Sequence, residues 1–81
     1  MNEINLKVYQ LITDKLGVKQ SEIRNEAKFY DDLGVDSLDF IELIVDVEQA
    51  FNIKIPDENY VKLTTVGSLV SYVDASLYQA A

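Results

Sequence analysis

Cysteine and histidine are both absent from the sequence, which has only one proline and three glycines. Without cysteine, the polypeptide can supply neither a disulfide nor a thiolate nucleophile. Without histidine, it lacks the usual general base and the commonest zinc ligand. These absences argue against nucleophilic triads and metal-dependent hydrolysis, so we expect neither catalysis by the chain itself nor a metal site.

Long apolar runs are missing as well. No stretch approaches the ~20 apolar residues that a transmembrane helix needs, and Met1, Asn2 and Glu3 do not form the basic start of a targeting peptide. We therefore expect no membrane insertion, and a protein of the cytoplasm or of an organelle interior. A chain of 81 residues has room for one core, so residues 1–81 are expected to form a single domain, and we expect a monomer.

Acidic residues outnumber basic ones, and their distribution is uneven. The net charge is −7, and residues 31–58 hold nine acids against one base. Such a field repels nucleic-acid phosphates and attracts basic protein surfaces, so no nucleic-acid partner is expected. From charge alone, a solubilising surface and a docking surface for basic partners both remain open.

Apolar residues recur at helical spacing in three segments. The first is residues 4–16, which is expected to end at Gly17 in a left-handed conformation. The second is residues 37–51, where the Asp36 carboxylate can accept hydrogen bonds from the free N–H groups of the first turn. The third follows Thr65, another residue suited to capping a helix.

A long connection and a short helix complete the predicted fold. Residues 18–35 show weak periodicity and are expected to form a long connection. Three of its apolar residues are expected to anchor it in the core: Ile23, Phe29 and Leu33. Pro56, with the two acids that follow it, indicates the start of a short helix. We therefore expect an all-α fold, a small antiparallel four-helix bundle with a long first loop and a short third helix.

The second helix has three distinct faces on a wheel of about 100° per residue. The face expected to meet the core carries Phe40, Leu43, Ile44, Val47 and Phe51. A second face is acidic and carries Asp39, Glu42 and Asp46. The third face combines two polar residues with three apolar ones: Ser37, Glu48, Leu38, Ile41 and Val45.

The apolar side chains of the third face have two interpretations. Leu38, Ile41 and Val45 can widen the contact with the core, as on many buried helices. Alternatively, they form a docking surface whose apolar contacts supply binding energy while neighbouring carboxylates steer a basic partner. Ser37 is compatible with an ordinary helix-start serine, although the free N–H groups at that end of the helix also favour a covalent phosphate.

Residues 33–38 read Leu-Gly-Val-Asp-Ser-Leu, which resembles the attachment motif of acyl carrier proteins, Leu-Gly-x-Asp-Ser-Leu. The resemblance continues through residues 55–58, Ile-Pro-Asp-Glu, and residues 63–66, Leu-Thr-Thr-Val. It covers most of the chain, from about Val8 to Val73, and implies a four-helix bundle.

The resemblance also implies a cofactor, 4'-phosphopantetheine, that a dedicated transferase moves from coenzyme A to Ser37. This arm ends in the thiol that the sequence lacks, so it can carry acyl groups as thioesters to acyl-processing enzymes with basic docking patches. Type II fatty acid biosynthesis is the expected pathway. Two alternatives stay open: a carrier dedicated to polyketides or specialised lipids, and an acidic interaction module that is never modified.

Three groups of site residues follow from the faces of the second helix and from the resemblance. The modification site comprises Ser37 with its neighbours Asp36 and Leu38. Partner docking is expected to use Asp39, Ile41, Glu42, Val45, Asp46 and Glu48. A bound acyl chain is expected to fold back into the bundle, because each buried methylene contributes about 0.8 kcal/mol. The expected lining of that pocket is Phe29, Leu43, Ile44 and Val47.

Three positions differ from the familiar fatty-acid carriers. Phe40 stands where a small hydroxyl residue is usual, Val45 where methionine is common, and Asp46 where alanine often occurs. All three lie on the second helix, so they leave open which partner enzymes the protein serves.

Overall fold

Three α-helices and two 3-10 segments make up the fold, which a computed structural model describes for residues 3–80. The α-helices are α1 (Glu3–Leu16), α2 (Ser37–Phe51) and α3 (Val66–Ala80), and the 3-10 segments are Gln20–Glu22 and Asp57–Lys62. The all-α bundle expected from the sequence is confirmed, and its short third helix is the segment Asp57–Lys62. Met1 and Asn2, considered above for targeting, lie outside the described residues, as does Ala81.

The ends of α1 and α2 follow the local sequence. Gly17 has a φ of 73°, and its N–H group donates to the carbonyl of Thr13 over 2.9 Å. Asn52 has a φ of 56°, also in the left-handed region. Glycine adopts this region without strain and asparagine tolerates it. Both helices therefore end where the sequence predicts.

The starts of α2 and α3 are capped by side chains. Asp36 Oδ1 accepts a hydrogen bond from the N–H group of Asp39 over 2.8 Å. Thr65 Oγ1 accepts from the N–H group of Ser68 over 3.1 Å, and Ser68 Oγ accepts in return from the N–H group of Thr65 over 3.1 Å. These bonds satisfy N–H groups that have no partner within the helix.

The core draws on all three α-helices and on the connections between them. α1 supplies Val8, Tyr9 and Ile12, and α2 supplies Phe40, Leu43, Ile44 and Val47. α3 supplies Val66, Leu69, Val70 and Val73, and the connections supply Ile23, Phe29, Val35, Ile55 and Leu63. Of the expected anchors, Ile23 and Phe29 are buried and Leu33 packs against the core while partly exposed. None of the helices within residues 3–80 has the length and hydrophobicity to span a bilayer.

Backbone hydrogen bonds fasten the long connection to the start of α3. The N–H group of Phe29 donates to the carbonyl of Thr64 over 3.0 Å, and that of Gly67 donates to the carbonyl of Asn25 over 2.8 Å. A Cβ atom at position 67 would lie 3.0 Å from that same carbonyl oxygen, so only glycine fits without a shift. The Tyr9 hydroxyl donates to Asn25 Oδ1 over 2.6 Å. The connection is thereby held in place just before it reaches α2.

Candidate functional site

Ser37 is the first residue of α2, and its side chain faces solvent. The turn that precedes it is fixed at two points: Gly34 has a φ of 65°, and the N–H group of the buried Val35 donates to the carbonyl of Phe29 over 3.0 Å. Asp36 is extended and caps the helix. Within the part of the chain that the structure describes, the Ser37 hydroxyl makes no hydrogen bond. The fold therefore presents a free hydroxyl group directly after a hydrogen-bonded turn.

An open groove of about 330 Å³ lies beside Ser37, between the start of α2 and the short helix. We call it the Ser37 groove; its lining comprises Tyr30, Ser37, Phe40, Ile41, Tyr60, Val61, Leu63 and Thr64. Burial, followed by the nearby Asp57 carboxylate, raises the pKa of Tyr60. The phenol of Tyr60 is therefore uncharged at neutral pH, and the groove presents a largely apolar surface.

The third face of α2 lies outside the core. Leu38 is 64% exposed, Ile41 45% and Val45 41%. The interpretation that these residues widen the core contact is therefore wrong. Together they form an apolar surface, here called the docking patch, that runs along α2 from the modification site expected at Ser37.

A lysine side chain from α1 lies against the acidic face of α2, a contact that the sequence does not predict. Lys15 of α1 places its Nζ atom 3.2 Å from Asp46 Oδ2 and 3.6 Å from Glu42 Oε1. The hydrogen bond to Asp46, followed by the attraction of both carboxylates, raises the pKa of Lys15. Part of the negative charge expected to face solvent is thus neutralised. No group of three or more acidic side chains among residues 3–80 is arranged to hold a metal ion.

Glu48 is bound within the chain. Its side-chain Oε2 atom accepts a hydrogen bond from the N–H group of Ile55 over 2.7 Å, and the residue is partly buried. This bond ties the segment after α2 back onto the helix. Asp39 is also partly buried, at the capped start of α2. Of the four acids expected to dock partners, Glu42 is exposed, whereas Asp46 is partly buried like Asp39 and Glu48. Glu42 and Asp46 both pair with Lys15.

The residues expected to line an acyl pocket lie together in the core. Phe29, Leu43, Ile44 and Val47 are each fully buried. None of them lines the Ser37 groove. Phe40 lines the groove and also contacts Phe29, with their ring centroids 5.4 Å apart.

Comparisons with known proteins give three matches to this chain. Residues 7–73 match the family described as "Phosphopantetheine attachment site". The acyl carrier protein of Thermotoga maritima is 47% identical over 75 residues, which cover 93% of each chain. A solved structure of the acyl carrier protein from Enterococcus faecalis superimposes with a TM-score of 0.78 at 28% identity, over 91% of this chain and 94% of that one.

Proposed function

Because the chain belongs to the acyl carrier protein family, we propose that Ser37 is the residue that bears its prosthetic group. The protein is a carrier and not an enzyme, and its cofactor is covalently attached 4'-phosphopantetheine. When bound, this arm supplies the thiol that the chain lacks and holds an acyl group as a thioester. The observation that carries the assignment is the free, exposed Ser37 hydroxyl within the Leu-Gly-Val-Asp-Ser-Leu segment, inside the matched residues.

The residues around Ser37 fit a phosphate-linked arm. The first turn of a helix leaves N–H groups without an intrahelical partner, and its positive end favours an anion. In α2 the Asp36 carboxylate occupies the N–H group of Asp39 only, so the first N–H groups of the turn stay available. The apolar Ser37 groove offers an adjoining surface for the less polar part of the arm.

We assign the carrier to type II fatty acid biosynthesis in the cytoplasm, where coenzyme A and acyl-processing enzymes are found. A carrier dedicated to polyketides or specialised lipids is a second candidate. The observation in its favour is Phe40, because a buried ring lines the groove beside Ser37 where the familiar fatty-acid carriers have a small hydroxyl residue. The masses of acyl forms purified from the native cell distinguish the two, because each pathway leaves its own cargo on the arm.

Intact mass spectrometry tests the carrier function directly. After incubation with coenzyme A and a broad-specificity pantetheinyl transferase, we expect the whole population to gain the mass of one phosphopantetheine. Omission of the transferase is the control and should give no gain. A protein that stays unmodified under conditions in which a known carrier is fully converted would instead be an acidic interaction module.

We further propose that the docking patch and its neighbouring acids form the surface that binds basic partner enzymes. The apolar side chains supply contact, while Glu42 and Asp46 steer the encounter. Lys15 competes for these two carboxylates, since it already pairs with both. A partner's lysine or arginine must therefore share them with Lys15 or displace it.

Because Lys15 competes with a partner for these carboxylates, replacing Lys15 and replacing Glu42 should change the association rate constant in opposite directions. Lys15→Met should raise the association rate constant with the pantetheinyl transferase by about threefold and steepen its dependence on salt, because the steering field grows. Glu42→Lys should lower the rate constant by a similar factor. Stopped-flow binding at several salt concentrations measures both, and dissociation should change little.

Lys19→Met is the matched control, because it removes the same charge from an exposed residue of the long connection, beyond the end of α1. Its effect on association should be clearly smaller than that of Lys15→Met. Equal acceleration by the two variants would mean that net charge, and not the face beside Lys15, controls the encounter.

A further inference from the structure

Glu48 connects α2 to the segment that leads into the short helix. Its backbone carbonyl accepts a hydrogen bond from the N–H group of Ile53 over 3.1 Å, and its side-chain Oε2 atom accepts one from the N–H group of Ile55 over 2.7 Å. Hydrogen bonds from an N–H group to a carboxylate are among the short and strong ones. Because Ile55 is buried, its N–H group would be costly to leave without this acceptor.

The segment that follows Ile55 runs back along α2 toward Ser37. Ser37 and Glu48 lie on the same face of α2, about three turns or ~16 Å apart. Ile55 is bound at the Glu48 end, whereas Tyr60 and Val61 line the Ser37 groove at the other end. The short helix is therefore the wall of the groove that faces α2, and Glu48 holds the segment from which that wall begins.

Hydrogen bonds inside this segment relate the position of Ile55 to that of the groove wall. The N–H group of Asn59 donates to the carbonyl of Pro56 over 3.0 Å, and that of Leu63 donates to the carbonyl of Tyr60 over 3.1 Å. Pro56 has a φ of −61°, the value to which its ring restricts it. A displacement of Ile55 is therefore transmitted to Tyr60 through a proline and a hydrogen-bonded helix.

The charge of Glu48 also acts on a residue of the groove. Burial raises the pKa of Tyr60, and the Asp57 carboxylate and then the Glu48 carboxylate raise it further. The interaction between a carboxylate and a phenolate weakens with distance and with intervening water. Glu48 therefore lies close to the inner side of the short helix, where a change in its side chain affects the groove wall.

We propose that Glu48 is a positioning residue for the Ser37 groove, because its hold on Ile55 determines where the short helix stands against the start of α2. Glu48 acts on the groove through the backbone of another segment and does not line the groove itself. The importance of this position for an acyl arm rests on the attachment of that arm to Ser37, as proposed above. The position of the short helix does not depend on the arm.

Amide NMR spectra of the unmodified chain test the proposal. In Glu48→Ala, which removes the acceptor, the amide hydrogen of Ile55 should exchange about tenfold faster or more, and the amide shifts of Tyr60 and Val61 should change. Glu48→Gln keeps an acceptor oxygen at the same place and should stay close to the wild type in all three respects. Unchanged shifts of Tyr60 and Val61 in Glu48→Ala would overturn the proposal. A Glu48→Gln variant that behaves like Glu48→Ala would also contradict it, because the acceptor oxygen would then not determine the position.

Gln49→Ala is the matched control, because it truncates a side chain of the same length at the next position of α2. Gln49 is exposed and makes no hydrogen bond through its side chain within residues 3–80, so the exchange at Ile55 and the shift of Val61 should match the wild type. Val8 and Ile12 of α1 report on the fold as a whole and should keep their shifts in Glu48→Ala. Changes there as large as those at Val61 would attribute the effect to general loosening and would remove the positioning role.

Contacts between rings measure the groove wall more directly. The ring centroids of Phe40 and Tyr60 lie 5.8 Å apart, so we expect a nuclear Overhauser effect between their ring protons in the wild type and in Glu48→Gln. It should be weaker in Glu48→Ala, and an undiminished effect would show that the short helix keeps its place without Glu48, against the proposal. These measurements need no arm on Ser37. A chain that accepts no arm would instead contradict the proposed function, and the mass measurement detects that case separately.

Discussion

Replacement of Ser37 by alanine is expected to abolish the addition of phosphopantetheine while leaving the fold intact. The Ser37 side chain is exposed and makes no hydrogen bond within residues 3–80, so loss of its hydroxyl removes no hydrogen bond of the folded state. Exposed substitutions of this kind usually change the free energy of unfolding by no more than about 0.5 kcal/mol. Intact mass after incubation with coenzyme A and the transferase measures the modification, and a thermal melt of the same sample measures the fold.

Other serines provide matched controls for this experiment. Ser21 lies exposed in the segment Gln20–Glu22, and Ser71 lies exposed on α3. Ser68 differs, because its hydroxyl donates to the carbonyl of Thr65 over 2.7 Å and its Oγ atom accepts from the N–H group of Thr65. Ser21→Ala and Ser71→Ala should be modified as completely as the wild type. A mass gain that persists in Ser37→Ala would show that the arm is attached elsewhere.

Much of the fold could be predicted because its determinants are local. A left-handed glycine at position 17, an aspartate cap at position 36 and a threonine cap at position 65 act within a few residues of the helix ends that they define. The helical period of α2 predicts a core face, and Leu43 on that face is buried as expected. For Val45 the sequence left two interpretations open, and its exposure in the structure decides between them. Both kinds of signal depend only on neighbours along the chain.

Contacts between distant segments could not be predicted in the same way. The wheel of α2 places Glu42 and Asp46 on one face, but which side α1 occupies depends on how the two helices rotate and cross. The Lys15 ion pairs follow from that packing. Similarly, the sequence predicts Glu48 on a docking surface, because nothing in the helix indicates that its side chain binds the N–H group of Ile55, seven residues further along the chain.

The ring contacts around Phe40 could not be predicted from the sequence either. The sequence predicts Phe40 on the core face of α2, at a position where the familiar fatty-acid carriers have a small hydroxyl residue. Its partners Phe29, Tyr30 and Tyr60 come from the long connection and the short helix, whose placement the periodicity of one helix does not determine. The contacts of the Phe40 ring therefore follow from the tertiary structure.

Val45 and Val47 allow the docking patch to be tested against the core with the same substitution on the same helix. Val45 is 41% exposed and Val47 is fully buried. Val47→Ala should lower the free energy of unfolding by about 1 to 4 kcal/mol, because it removes buried methyl groups and leaves a cavity. For a chain of this size, each kcal/mol lowers the melting temperature by about 4 to 8 °C.

Val45→Ala should instead leave the melting temperature almost unchanged and weaken binding to the pantetheinyl transferase. We expect the dissociation rate constant to rise by about tenfold with little change in association, because lost apolar contacts act mainly on dissociation. Val45 does not line the Ser37 groove, so a binding defect in this variant does not arise from a changed groove lining. Stopped-flow binding and thermal melts of both alanine variants separate the two roles. If Val45→Ala dissociates at the wild-type rate, Val45 makes no contact with this partner and the docking patch must be redrawn around Leu38 and Ile41.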